Sequence, residues 1–323
     1  MTRAEKIQQL RTRISEQLDG LIDRDYALMG LPYYLNVGDV LIWEGTRQFL
    51  ATTGRKCLNA GYRYRDEWRI QADTLIVLQG GGNFGDLWRE VQEERLGIIR
   101  RHPGNPTIVM PVSCWYDDPA LMRRDAEALA SHPDLTICAR DSASHERLVR
   151  NFKNRILLVP DMAFFVDPRA LRKWAAGAGQ GALHVKRTDK EWAPDHGMAP
   201  AAADGMTVAD WPSMVRAPWH WTLYNDMLDW GRQARQRRGV WRIADVVVKL
   251  SDWLYHHVGR RLLIRQGAAF LGAYRTVYAT RLHAAILAIL LDKDVRIADN
   301  LDGKISSFCK TWLEGVDGVE LVE

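Results

Sequence analysis

The stretch Val277-Tyr-Ala-Thr-Arg281-Leu-His283-Ala-Ala-Ile-Leu-Ala-Ile-Leu-Leu291, continued by Asp292-Lys-Asp-Val295-Arg-Ile-Ala-Asp299-Asn300 and Gly303-Lys304-Ile-Ser-Ser-Phe308, decides the fold. It reads as strand, polar turn, apolar helix, strand, polar turn and helix, the alternation of an α/β domain that handles nucleotides or phosphates. Arg281 and His283 fall where the first helix begins. A helix N-terminus carries free N–H groups and partial positive charge, so the pair makes a candidate anion site with an acid/base attached. The alternative is that Arg281 pairs with a surface carboxylate and His283 caps the helix.

The same alternation runs through the first half of the chain. Ile7, Leu10, Ile14, Leu18 and Leu21 are spaced for an amphipathic opening helix. A strand is expected at 26–31, then a loop with Asn36, Gly38 and Asp39, and a helix at 40–50. Strands follow near 56–60 and at 74–79. The latter runs into Gly80-Gly-Gly-Asn83-Phe-Gly85-Asp86, read as a glycine-rich loop at a strand's carboxyl end. This run is neither GxGxxG nor GxxxxGK[ST], so it predicts neither dinucleotide nor P-loop chemistry. Strands at 107–111, 135–139 and 156–159 alternate with helices at 119–130 and 144–151. They deliver Ser113, Arg140-Asp141-Ser142 and Pro160-Asp161 to the same edge. Asn36, Asp39, Asn83, Asp86, Arg140 and Asp161 thus all follow expected strands, and in a doubly wound parallel sheet such ends converge on one crevice. Each carboxylate also has a plain reading as a helix cap or turn residue.

A small-residue linker at 175–181 separates two expected units, 1–172 and 173–323. The second opens with a strand at 182–186 ending at Arg187. Residues 193–218, rich in Pro, Ala and Gly, read as a mobile loop. Helices at 220–235 and 241–258 precede the stretch quoted first.

At 323 residues, 47% hydrophobic and 26% charged, the chain is ordinary for a globular enzyme. Met1-Thr-Arg-Ala-Glu-Lys leads into no apolar core, and the apolar run 284–291 is far too short to span a bilayer, so a cytoplasmic protein is expected. Cys57, Cys114, Cys138 and Cys309 show no metal-like spacing and read as reduced thiols. Net charge is only +4, yet Arg232, Arg235, Arg237, Arg238 and Arg242 crowd one segment and Arg260, Arg261 and Arg265 follow. Such a cluster suits lipid headgroups, a lipid-linked diphosphate or nucleic acid, or is a solvated helix face. Trp211, Trp219, Trp221, Trp230, Trp241 and Trp253 gather there too. Their flat faces suit sugar rings, although most tryptophans anchor cores or interfaces.

Asn36-x-Gly38-Asp39, Gly80-Gly-Gly-Asn83-Phe-Gly-Asp86, Arg140-Asp-Ser142, Pro160-Asp161, Arg187-Thr-Asp-Lys-Glu191 and Arg281-Leu-His283 with Asp299-Asn300-x-x-Gly303-Lys304-Ile-Ser, in this order, resemble the polysaccharide pyruvyl transferase family, bacterial exopolysaccharide type. The resemblance covers roughly 30–172 and 182–312. It departs at Val112-Ser113, where Gln-Ser is usual, and gives no match over 193–260. It implies two Rossmann-like lobes with parallel sheets in a glycosyltransferase-B-like arrangement, with the active site in the cleft between them. It further implies transfer of the enolpyruvyl unit of phosphoenolpyruvate to two hydroxyls of one sugar, giving a cyclic ketal and phosphate.

On this resemblance Arg140 and Arg281, with His283, are expected to bind the donor. Planar arginine forks suit both its carboxylate and its phosphate. His283 is the foremost acid/base, since an unperturbed imidazole titrates near working pH. Asp39, Asp86 and Asp161 are alternative bases, Lys304 a phosphate contact, and Asn36 and Asn83 substrate contacts. No metal or other cofactor is expected. The acceptor is a sugar, with a lipid-diphosphate-linked oligosaccharide at the inner membrane face as one candidate; nucleic acid is not an expected partner. A nucleotide-sugar glycosyltransferase and a non-catalytic carbohydrate-binding protein are the rival readings.

Overall fold

Thr2 opens α1 (Arg3–Leu18) with a capping box: its hydroxyl accepts from the Glu5 N–H, and the Glu5 carboxylate accepts from the Thr2 N–H. Ile7, Leu10, Ile14 and Leu18 form the buried stripe that their spacing predicts. The computed structural model describes residues 1–33, 35–61, 70–175, 177, 179–187, 206–235, 240–299 and 303–322. Thr188, Asp189, Lys190, Glu191, Arg237, Arg238 and Asn300, named above, lie outside the described residues.

Beyond α1 the first lobe runs β1 (Tyr26–Met29), α2 (Val37–Thr52), β2 (Cys57–Gly61), β3 (Leu75–Leu78) and β4 (Gly81–Gly85). It continues with α3 (Arg89–Arg101), β5 (Thr107–Trp115), α4 (Pro119–Ala130), β6 (Leu135–Ala139), α5 (Ser142–Asn151) and β7 (Arg155–Leu158), then a 3₁₀ turn, Met162–Phe165, and α6 (Pro168–Arg172). The sheet order is β2-β1-β3-β5-β6-β7, with β4 beside β5, and every pairing is parallel. β1, β3 and β6 are buried along their whole length, as both-faced parallel strands must be.

The second lobe comprises β8 (Ala182–Val185), β9 (Met206–Ala209), α7 (Pro212–Val215), α8 (Trp219–Arg235) and α9 (Trp241–Leu254), a π turn, Tyr255–Gly259, and α10 (Arg260–Gly272). Then come β10 (Thr276–Ala279), α11 (Leu282–Leu290), β11 (Asp294–Ile297), α12 (Lys304–Trp312) and β12 (Val319–Leu321). Its parallel sheet has the order β12-β11-β10-β8-β9. Both sheets are of the parallel Rossmann-like kind, and the quoted stretch supplies β10, α11, β11 and α12.

Four expectations need correction. The glycine run is not simply a loop: Gly81–Gly85 is a short strand beside β5, with an irregular register between Gly81 and Phe84. Glycines carry no side-chain pattern by which such a strand can be read. β5 runs through Pro111 to Trp115, because Pro111 sits where the β5–β6 register shifts between Val109 and Val112 and no ladder N–H is needed there. Within the expected loop 193–218, Met206–Ala209 pairs with β8 and Pro212–Val215 is helical. The helix read as 241–258 ends at Leu254 and passes through the π turn directly into α10, which the sequence reading missed.

Apart from His283 in its first turn, α11 is apolar around its whole circumference, and every residue from Leu282 to Leu290 is buried. It packs on α2, α10, β10 and the 3₁₀ turn, so one core joins the lobes: Val37, Val40, Phe49, Met162 and Phe164 with Leu263, Ile286 and Phe308. Phe164 and Phe308 lie parallel with ring centres 6.2 Å apart. Where α2 crosses the 3₁₀ turn, a methyl on Gly45 would stand 1.7 Å from the Met162 carbonyl oxygen. Gly45→Ala is therefore expected to lower the unfolding free energy by about 1–3 kcal/mol through overpacking, read as a lower denaturant midpoint with unchanged m-value.

Candidate active site

Asp141 caps α5, accepting from the Ser144 N–H on Oδ1 (2.8 Å), while its Oδ2 accepts from the Ser113 hydroxyl (2.8 Å). Ser113 Oγ in turn accepts from Arg140 Nε (2.9 Å). This chain fixes the guanidinium, which is buried to 2% exposure, so that Nη1 meets Asp161 Oδ2 at 2.9 Å. Asp161 is fully buried and caps the 3₁₀ turn, its Oδ1 accepting from the Ala163 N–H at 2.8 Å. Its Oδ2 also meets His283 Nε2 at 3.3 Å, across from the second lobe. Burial alone raises the Asp161 carboxyl, but the His283 ring and Arg140 beside it, with the Ala163 N–H, hold it well below the usual carboxylate range. An ionised carboxylate only accepts, so Nε2 is the protonated nitrogen of that contact.

Two glycines make room for this arrangement. A methyl on Gly38, in the first turn of α2, would lie 2.7–2.8 Å from His283 Cβ, Cγ and Nδ1; the imidazole rests directly on that helix start. A methyl on Gly82 would lie 3.1 Å from Arg140 Nη2 and 3.6 Å from Lys304 Nζ. The bare backbone of β4 is thus the place where a first-lobe guanidinium and a second-lobe ammonium meet, on the strand-end side of the sheet. Arg140, Asp161, His283 and Lys304 are brought together there.

α12 aligns the lysine. Asp299 accepts from the N–H groups of Ile305 (3.2 Å) and Ser306 (3.3 Å) at the helix start. Further along, Ser307 Oγ accepts from the Ala143 N–H, Thr311 Oγ1 from the Ser142 N–H, and Trp312 Nε1 donates to the Arg140 carbonyl at 2.7 Å. The second lobe's last helix therefore grips the Arg140-Asp141-Ser142 turn of the first. Ser307, Thr311 and Trp312 were not singled out from sequence; their spacing on one face of a helix that follows Lys304 was the available signal.

The remaining candidates have partners of their own. Arg281 occupies the cap position of α11, but its guanidinium forms a buried two-pronged pair with Asp210, Nε to Oδ1 at 2.6 Å and Nη2 to Oδ2 at 2.7 Å. The carboxylate it pairs with is buried and not on the surface. Asp210 went unnoticed because it lies in the Pro/Ala/Gly-rich stretch read as a loop. Asn36 caps α2 through Gly38 N–H and donates from Nδ2 to Asp39 Oδ2 (3.0 Å). Asn83 accepts from Arg95 on both its backbone oxygen and Oδ1. Asp86 Oδ2 accepts from the N–H groups of Asp117 and Asp118, each at 2.8 Å, which ties the turn after β4 to that after β5. Asp39 and Asn83 share a pocket with Gln79, Glu94 and Arg95 at the ends of β1 and β3.

Fold and site together define a two-lobed parallel α/β enzyme with its cationic groups and an Asp–His pair gathered at converging strand ends. The sequence profile of the family described as Polysaccharide pyruvyl transferase matches residues 36–297. The chain belongs to that family and is an enzyme of pyruvyl transfer. It is 28% identical to EpsO of Bacillus subtilis, named as a pyruvyl transferase, over 96% of this chain and 94% of that protein. It is 29% identical to Pyruvyl transferase 1 of Schizosaccharomyces pombe, over 92% of this chain and 72% of that protein. The crystal structure of an uncharacterised Klebsiella pneumoniae protein shares the fold, with TM-score 0.59, 18% identity, and coverage of 96% of this chain and 98% of the other.

Replacing Asp161 by Asn leaves Arg140 buried beside a neutral group, and is expected to cost about 3–5 kcal/mol of stability. Because the folded carboxyl titrates below its unfolded value, its contribution is complete above about pH 4 and is lost as pH falls through the folded value. The difference in unfolding free energy between wild type and Asp161→Asn, measured by denaturation from pH 7 down to pH 3, should therefore be constant at first and shrink at the acid end.

Proposed function

We propose that the chain transfers pyruvate from phosphoenolpyruvate to two hydroxyls of one sugar, forming a cyclic ketal and releasing phosphate, with Arg140, Lys304 and His283 at the donor. What carries this reading is the meeting of Arg140 Nη2 and Lys304 Nζ over the bare backbone of Gly82, next to the His283–Asp161 contact. Phosphoenolpyruvate presents a carboxylate and a phosphate on neighbouring atoms, and a guanidinium and an ammonium from opposite lobes suit the two anions. Membership of the family supports pyruvyl transfer to a polysaccharide.

In the proposed reaction His283, held by Asp161 at Nε2, passes the proton on its other ring nitrogen, Nδ1, to the methylene carbon of the enol. Positive charge develops at C2, and the first sugar hydroxyl forms a C–O bond there while losing its proton. The C2–O bond to phosphate breaks, its electron pair leaving with the phosphate beside Arg140 and Lys304. The second hydroxyl then adds at C2 and releases its proton. One of the two hydroxyl protons restores His283, and the other leaves with phosphate. Asp161 fixes the ring through Nε2. Asp39, at the pocket with Gln79 and Asn83, is the proposed hydroxyl-side base, with Asn36 orienting its carboxylate. No cofactor is invoked. A lipid-diphosphate-linked oligosaccharide is the proposed form of the acceptor. Arg281 is assigned the part of bracing α11 through Asp210, and Asp86 that of bracing the glycine-rich strand.

Phosphoenolpyruvate is expected to raise the melting temperature, whereas nucleotide sugars leave it unchanged; the converse result discards the ketal reading. Arg140→Lys and Lys304→Ala should each lose most of that shift. His283→Ala should keep most of it while turnover falls about 10²–10⁴-fold, the usual contribution of a positioned acid/base. Unchanged turnover in His283→Ala removes the ring from the chemistry.

A further inference from the structure

α9 is apolar on two opposite sides. Ala244, Val248, Ser251 and Tyr255 turn inward; Ile243, Val246, Leu250 and Trp253 turn outward at the same helical spacing, with Val246 64% and Trp253 55% exposed. α8 adds Leu223, Trp230 and Trp219, the last 77% exposed, and Val215 and Val258 stand at either end. Among the described residues, nine of the thirteen exposed large hydrophobics fall between 215 and 258. An apolar helix face left in water marks a contact with something else.

Charge identifies the occupant. Residues 216–265 hold ten of the 44 basic and only four of the 40 acidic side chains, Asp226, Asp229, Asp245 and Asp252. The chain's entire positive excess lies there, and the remainder is slightly acidic. Arg216, Arg242, Lys249, Arg261 and Arg265 are exposed around the apolar residues. Outward tryptophans and valines flanked by arginine and lysine are the composition of a helix that lies in a lipid interface. No helix among the described residues is long and apolar enough to cross a membrane, so the fit is to the surface of a bilayer.

We infer that the α8–α9 hairpin is a docking surface for an anionic lipid bilayer, seated by Trp219, Trp230, Val246, Leu250 and Trp253 and steered by the surrounding cations. The inner side of the hairpin fixes where docking places the site. Tyr255 donates to the Pro32 carbonyl at 2.6 Å, Tyr33 donates to Asp252 Oδ1 at 2.9 Å, and the Tyr33 and Tyr255 rings stack at 4.2 Å. Pro32 also lines the pocket of Asp39 and Gln79. Bilayer and pocket thus lie on opposite sides of one helical layer. The inference concerns binding alone and stands without the proposed chemistry.

Co-sedimentation of the full chain with phosphatidylglycerol/phosphatidylcholine vesicles, against phosphatidylcholine alone, tests it without donor or acceptor. Binding is expected to the anionic vesicles only, and to weaken as salt is raised. Trp219→Ser/Trp253→Ser and, separately, Arg242→Glu/Lys249→Glu should each reduce partitioning by about tenfold or more, with melting temperatures and the phosphoenolpyruvate-induced shift retained. Absence of binding to the anionic vesicles, or full binding by either variant, overturns the inference. So does a wild-type dimer in solution that Val246→Glu/Leu250→Glu converts to monomer, since the face then covers a second copy.

Discussion

One buried carboxylate holds the two lobes to a common geometry. Asp161 has no access to water, and an isolated anion in such a place costs several kcal/mol, so its position depends on its partners. One oxygen faces Arg140 from the first lobe and His283 from the second. A carboxylate shared in this way fixes the distance between two elements from different sheets. The same pairing explains two glycines that side-chain chemistry does not: the imidazole reaches Asp161 over Gly38, and the guanidinium lies over Gly82.

That contact is supported by layers on either side. Below it, α11, apolar from Ala284 to Leu290, is pressed between α2, α10 and the 3₁₀ turn, so the floor is core rather than loop. Beside it, α12 hydrogen-bonds through Ser307, Thr311 and Trp312 to the turn that carries Arg140. Lys304 begins the same helix, so these bonds fix its backbone beside the turn that carries Arg140. Arg281 and Asp210 make a comparable brace inside the second lobe. Both forks of the guanidinium are occupied there.

Periodicity made most of the fold legible. The buried strands β1, β3 and β6 are short apolar runs, α1, α4 and α5 follow 3.6-residue spacing or strong caps, and α11 is a continuous apolar run. What escaped notice carries no such signal. β4 is mostly glycine, β9 is four residues in a stretch of small residues, and the π turn joins α9 to α10 without a break. For the site, Arg140, Asp161, His283 and Lys304 were legible because each follows a strand or opens a helix at the expected edge. Asp210, Ser307 and Trp312 were not, because their partners are 71, 164 and 172 residues away in sequence. Arg281 was legible by its position at a helix start, whereas its pairing with Asp210 was not.

The choice between a capping residue and a chemical residue, on which the sequence reading turned, is a false one for the carboxylates at this edge. Asp161 gives Oδ1 to the Ala163 N–H and Oδ2 to Arg140 and His283. Asp141 divides its oxygens similarly between the α5 backbone and the Ser113 hydroxyl that holds Arg140. The cap determines where the second oxygen points. A carboxylate freely rotating on a surface loop would lose side-chain entropy each time it oriented a partner. One whose first oxygen is already bonded to backbone has met that cost during folding, and its second oxygen is preorganised for the groups that face it.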